Sequence, residues 1–210
     1  MISLARQFLF VHVPKTGGNS VQNILRDYSE DEILLRDEHQ DGLERFEVRN
    51  AAFGFLKHSP LSEYKEKLPG DSYAGLFKFA CVRNPWERAI SYYFSPYRGV
   101  SAFSKDDFIA FMSTTVPMTY FLRERVDQPL AEVPRAFDSI MRFETLQADF
   151  DAVCDRLGLA RQALPVRNRS ERGAAADYYD DDTAEVVRKA YAEDIALFGY
   201  DVPWAEATHA

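Results

Sequence analysis

The stretch FVHVPKTGGNS, residues 10–20, leaves an apolar run at Pro14 and then presents Lys15, Thr16, Gly17, Gly18, Asn19 and Ser20 together. The run before it, FLFVHV at 8–13, is rich in aromatic and β-branched residues and is bounded by turn formers, which predicts a buried strand. Behind the glycines, Val21, Ile24, Leu25 and Tyr28 recur at helical spacing, so a helix starts near Asn19 or Ser20. A strand that turns through glycines into a helix offers unpaired N–H groups and the positive end of the helix dipole, and both suit an anion. Lys15 adds a point charge, while Thr16, Asn19 and Ser20 add short polar donors. A glycine pair also makes a tight turn with no ligand at all, so the rest of the chain must choose.

The loop is not of the Walker type. That motif places its lysine after the glycines and follows it with a Mg²⁺-binding serine or threonine, whereas Lys15 comes first. This order counts against an ATPase or an ordinary kinase.

A second apolar run, GLFKFACV at 75–82, predicts another central strand. It passes into RNPWERAISYYF, where Asn84 can cap a helix, Pro85 takes the first helical position and Glu87 completes a capping box. Between the two units, residues 29–50 are polar and show no clear organisation. Ser59 and Pro60 suit the start of a helix that runs to about Leu68, and Ser104 suits the start of a shorter one. SIMRFE at 139–144 reads as a third strand, followed by a helix through Leu157 that stops at Gly158. A final amphipathic helix is expected from Thr183 to about Phe198, closed by Gly199. Strands alternating with helices predict an α/β fold with a central, mainly parallel sheet flanked by helices.

The chain has 210 residues, 46% of them hydrophobic, enough for one sizeable core, and the expectation is a single domain over residues 1–210. A net charge of −8 argues against a globally basic nucleic-acid binder. Cys81 and Cys154 are far apart and set in apolar patterns, which predicts reduced core thiols. The first apolar run is too short to span a membrane and continues into the opening motif, so a soluble, cytoplasmic protein is expected.

In a parallel α/β sheet, ligands gather at the carboxyl ends of the strands. The Lys15 loop falls at one such end and Arg83 at another, with Ser91 eight residues farther along the helix. Arg83 suits paired hydrogen bonds to a phosphate. The alternative is an arginine bonded to Glu87 and a serine bonded back to its own helix.

Taken together, HVPKTGGNS resembles the 5′-phosphosulfate loop of sulfotransferases, and FACVRNPWERAISYYF resembles their 3′-phosphate-binding segment. The resemblance is nearest to the carbohydrate sulfotransferases, which include heparan 2-O-sulfotransferases and small bacterial members. It continues through RFETL and YAEDIALFGYD. It implies a three-layer fold like that of P-loop NTPases. It also implies 3′-phosphoadenosine-5′-phosphosulfate (PAPS) as donor, adenosine 3′,5′-bisphosphate as product, and an acceptor hydroxyl on a glycan, glycolipid or small molecule. On this resemblance Lys15, Thr16, Gly17, Gly18, Asn19 and Ser20 hold the 5′-phosphosulfate, and Arg83 and Ser91 hold the 3′-phosphate. Asn19 stands where the family commonly has threonine, which implies a changed contact and not lost binding.

Lys15 is the candidate to neutralise the leaving oxygen, and a histidine suits the acceptor proton. Four histidines are available. His12 sits inside the first strand, His39 in a polar stretch and His209 in the tail, whereas His58 follows an apolar segment at a strand end and resembles the family's general base. A His58 that caps the next helix or bonds a carboxylate is the competing reading. The loop RNRSERG, 167–173, brings Asn168 and Ser170 as further candidate donor contacts, against a plain solvated loop. Tyr92, Tyr93, Phe94 and Tyr97 form an aromatic cluster after Ser91, expected to pack in the core or to line the acceptor site. DYYDDD at 177–182 reads as helix N-terminal acids, and no metal is expected. The rival functions are a kinase-like nucleotide-dependent phosphotransferase and a non-catalytic nucleotide-binding relative.

Overall fold

A computed structural model describes residues 1–38, 44–165 and 173–204. Three strands expected from the apolar runs form its centre: β2 (Phe8–Val11), β6 (Phe77–Val82) and β7 (Ser139–Arg142). They lie side by side and parallel, with Phe8 opposite Phe77 and Phe79 opposite Ser139, and β1 (Ile2–Ser3) adds an antiparallel edge beside β2.

Both faces of this sheet are covered, which is why its strands read as unbroken apolar runs. Phe8, Phe10, Phe79 and Cys81 point to one face. There they meet α1 (Gly18–Leu25), through Val21 and Leu25, and α7 (Leu146–Leu157), through Phe150 and Val153. The alternate residues Leu9, Val11, Ala80 and Val82 pack on the other face. Their partners come from α2 (Leu61–Lys67), α6 (Met118–Leu122) and Phe198. The result is a central, mainly parallel sheet between helical layers. A third cluster joins Trp86 and Tyr93 of α4 (Pro85–Tyr93) to Phe108 of α5 (Lys105–Met112) and Val187 of α8 (Asp181–Ala190). Cys81 and Cys154 are buried free thiols, as expected.

Several local outcomes differ from the sequence reading. The polar stretch after residue 29 forms an antiparallel sheet, β3 (Glu32–Glu38), β4 (Glu44–Asn50) and β5 (Phe55–Leu56). A short helix, α3 (Gly70–Gly75), precedes β6. Asn84 does cap α4, accepting the N–H groups of Trp86 and Glu87. Glu87 does not close the box, however. The Asn84 N–H is taken across the sheet by Glu144, at 2.7 Å, which leaves Glu87 for Arg83. Pro60, not Ser59, holds the N-cap position of α2, and the Ser59 hydroxyl instead accepts the Leu56 N–H.

The final helix breaks at the buried Tyr191 into α8 and α9 (Ala192–Phe198). The break lets Asp194, fully buried, accept the N–H groups of Met118 and Thr119 at the start of α6. The aspartates at 180–182 act as read. Asp180 forms a capping box with Thr183, and Lys105 pairs with Asp180 and Asp182. Tyr93 packs among Phe103 and Phe108, and Phe94 against Tyr178, within the third cluster. Among the described residues, no helix is long and apolar enough to cross a membrane.

Candidate functional site

The carboxyl ends of β2, β6 and β7 are neighbours, so whatever each strand delivers there comes close together. β2 delivers the Lys15 loop. Lys15 itself has φ of +70° and Gly17 has φ of +84°, so the chain reverses through two left-handed residues before α1 begins. That conformation is uncommon for a lysine and implies that its surroundings hold it.

The two glycines are required by packing. A Cβ on Gly18 would lie 2.1 Å from the His12 ring, and one on Gly17 would lie 2.7 Å from Leu146 and 2.9 Å from Phe143. The loop is thereby wedged between His12, which follows β2 instead of lying inside the strand as the sequence suggested, and the start of the segment after β7. Gly17 is the N-cap of α1 and no side chain caps that helix, in contrast to Asn84 on α4. An uncapped helix start behind a lysine fits a phosphate or sulfate oxygen.

The hydroxyls of the loop are already engaged by main-chain carbonyls. Buried Thr16 donates to the Val13 carbonyl at 2.9 Å, and Ser20 donates to the Pro165 carbonyl at 2.7 Å. What the loop can offer an anion is therefore its backbone N–H groups, Lys15 and half-buried Asn19.

β6 delivers Arg83, which is almost buried. Its guanidinium donates to the Lys15 carbonyl at 3.4 Å and to Glu87 at 3.2 Å, and it lies 4.0 Å from the centroid of the Phe143 ring. The Glu87 pairing of the alternative reading is thus present together with the approach to the loop. Ser91 stands farther along α4, half-buried, and among the described residues no hydrogen bond joins it to the Lys15 loop. Asn168 and Ser170 fall in 166–172, outside the described residues, as do His39 and His209.

His58 lies across from the loop. Its Nδ1 is 2.9 Å from the His12 carbonyl, and the two rings are 4.5 Å apart. A carbonyl only accepts, so Nδ1 carries the proton and Nε2 keeps its lone pair. Enclosure by the protein is the largest cause that pushes the His58 pKa down, to about 4; Lys57 and Lys15 add to it, against the carbonyl bond. The residue as a whole is nonetheless exposed, so it keeps much of its hydration and the shift is smaller than full enclosure would give. The direction is what matters: His58 is neutral at pH 7. His12 is pushed the same way, first by burial, then by repulsion from His58 whenever that ring is protonated, and by the Lys57 charge.

Arg88 belongs to the site although the sequence reading passed over it. It is fully buried, donates to the Pro14 carbonyl at 3.1 Å and to the Val116 carbonyl at 3.1 Å, and rests 4.9 Å from the Tyr191 ring. It fixes the proline from which the loop departs. An arginine inside WERAISYYF, among residues that α4 buries, is the signal that could have shown it.

Lys15 and Arg83 thus lie at the open start of α1, joined through the Lys15 carbonyl, with Glu87 paired to Arg83. A model of the Sulfotransferase family matches residues 1–120, a span that holds the Lys15 loop, His58, Arg83 and Ser91. The chain belongs to the sulfotransferase family. Comparison with curated proteins gives no match. Membership makes this chain a transferase that moves a sulfuryl group to an acceptor. The matched span ends within α6, so the part of this sulfotransferase that contributes Phe143 and Glu144 lies beyond it.

Proposed function

We propose that the chain transfers the sulfuryl group of PAPS to a hydroxyl of a carbohydrate or glycoconjugate, in the manner of the carbohydrate and heparan 2-O-sulfotransferases. The observation that carries this reading is His58 in its Nε2-basic tautomer beside the Lys15 loop, with Arg83 bonded to that loop. The strand–loop–helix unit on a parallel sheet supports a relation to the P-loop NTPase fold.

When bound, PAPS supplies an activated sulfuryl group on a phosphate leaving group. The uncapped start of α1 and Lys15 bind its 5′ end, and Arg83, with Ser91, binds its 3′-phosphate. His58 Nε2 takes the proton of the acceptor hydroxyl while its oxygen bonds to sulfur. The sulfur–oxygen bond to the phosphate breaks, and Lys15 neutralises the charge that collects there. Positioning and electrostatic stabilisation account for most of the acceleration in such a transfer. Donor roles for Asn168 and Ser170 rest on the resemblance alone.

Incubation with sulfur-labelled PAPS and a panel of glycan and small hydroxylated acceptors tests the reading. Label is expected on a hydroxyl, with release of adenosine 3′,5′-bisphosphate. Thermal stabilisation by ATP and Mg²⁺ but not by adenosine 3′,5′-bisphosphate would point to the kinase-like alternative. Tight nucleotide binding without transfer to any acceptor would point to a non-catalytic relative.

A further inference from the structure

The turn after β7 holds a phenylalanine that touches both halves of the donor site. Phe143 opens a 3-10 turn, Phe143–Thr145, and is 37% exposed. Its ring faces the Arg83 guanidinium at 4.0 Å, well inside the range of cation–π attraction. The same ring meets the backbone of the Lys15 loop, since a Cβ on Gly17 would come within 2.9 Å of it.

The ring is firmly anchored. Glu144, next in the chain, accepts the Asn84 N–H and the Tyr200 hydroxyl, and Thr145 donates to Asp149. Arg83 in turn donates to the Lys15 carbonyl at 3.4 Å, a long bond, and to Glu87 at 3.2 Å. The ring of Phe143 is a further contact on the guanidinium, beside those two bonds, and so bears on how it lies. A guanidinium recognises phosphate through a fork of fixed plane, so its tilt decides whether two bonds or one can form.

We infer that Phe143 is a positioning residue for the donor: through its contact with Arg83 it orients that guanidinium towards the 3′-phosphate. This rests on the donor assignment proposed above. Phe143 acts through Arg83, so its removal weakens ligands that carry a 3′-phosphate and spares those that lack one.

The test measures dissociation constants of adenosine 3′,5′-bisphosphate and of adenosine 5′-phosphate for the wild type, Phe143→Leu, Phe143→Tyr and each change combined with Arg83→Ala. Phe143→Leu keeps the apolar contact with Gly17 but loses the aromatic face. It is expected to weaken the bisphosphate by about three- to thirtyfold, the range that a cation–π contact represents. Adenosine 5′-phosphate is expected to bind as before, Phe143→Tyr to match the wild type, and Phe143→Leu to add no loss once Arg83 is alanine. Should Phe143→Leu not fold, Phe143→Met, a flexible side chain that fills irregular space, takes its place. Equal weakening of both nucleotides, or a Leu or Met variant that binds the bisphosphate like wild type, would overturn the inference. A wild-type protein that does not prefer the bisphosphate would overturn the donor assignment itself, and this proposal with it.

Discussion

A single bond from His58 to the main chain decides which of its nitrogens can accept a proton. His58→Ala is expected to lower turnover by about 10²–10⁴-fold, the usual contribution of a general base, with adenosine 3′,5′-bisphosphate still bound. Undiminished sulfuryl transfer in that variant would move the base elsewhere. Lys15→Ala is expected to weaken the bisphosphate and to lower turnover by about 10²-fold or more, since it serves both binding and the leaving charge. The pH profile gives a separate reading. The His58 pKa is pushed down to about 4, and kcat/KM reports the free enzyme. Its acid limb should therefore lie below 6.5, and a limb at 6.5 would contradict the lowered pKa of His58. Lys15, Arg83 and His58 were legible in the sequence because each is a polar residue where an apolar run stops. Arg88 and Phe143 were not, because an arginine on a helix reads as solvated and a phenylalanine beside a strand reads as core. Both roles depend on contacts from distant segments, Pro14 for one and Arg83 with Gly17 for the other.

At the scale of elements, the contrast between α1 and α4 divides binding from stability. α4 is closed by Asn84, whose amide also donates to the Asp201 carbonyl. Asn84→Ala is expected to cost about 1–2 kcal/mol by thermal or denaturant unfolding, the usual value of a lost cap with an added hydrogen bond. α1 is open at its start, and its glycines are pressed against other side chains. Gly18→Ala would drive a methyl group into the His12 ring, so a loss of about 1–3 kcal/mol of stability is expected, the typical penalty of overpacking, with donor binding impaired as well. A Gly18→Ala protein with wild-type melting and nucleotide affinity would refute that packing. The three parallel strands were legible because burial on both faces writes an unbroken apolar run. The β3–β4 hairpin was not, because its polar residues hide the alternation that marks a half-buried strand. The break at Tyr191 was also hidden, since what sets it is the reach of Asp194 to another helix and not local propensity.

For the molecule as a whole, two adjoining histidines set a limit on acid tolerance. His12 and His58 both have pKa values lowered in the folded state, while the unfolded chain takes up protons near the ordinary 6.5. Between those values the unfolded state binds more protons, so stability that is complete above pH 6.5 falls as the pH drops towards 4. His12→Gln should flatten that part of the stability curve. The order of the parallel strands has a further consequence, for how the site comes into being. β2 meets β6 through Phe8 and Phe77, and β6 meets β7 through Phe79 and Ser139, so each pairing closes a very long loop. Such distant pairings form slowly, whereas a hairpin like β3–β4 closes in about 1–10 μs. In refolding, recovery of nucleotide binding should therefore trail the return of helical signal, because the three strand ends become a site only when the slowest pairing is complete.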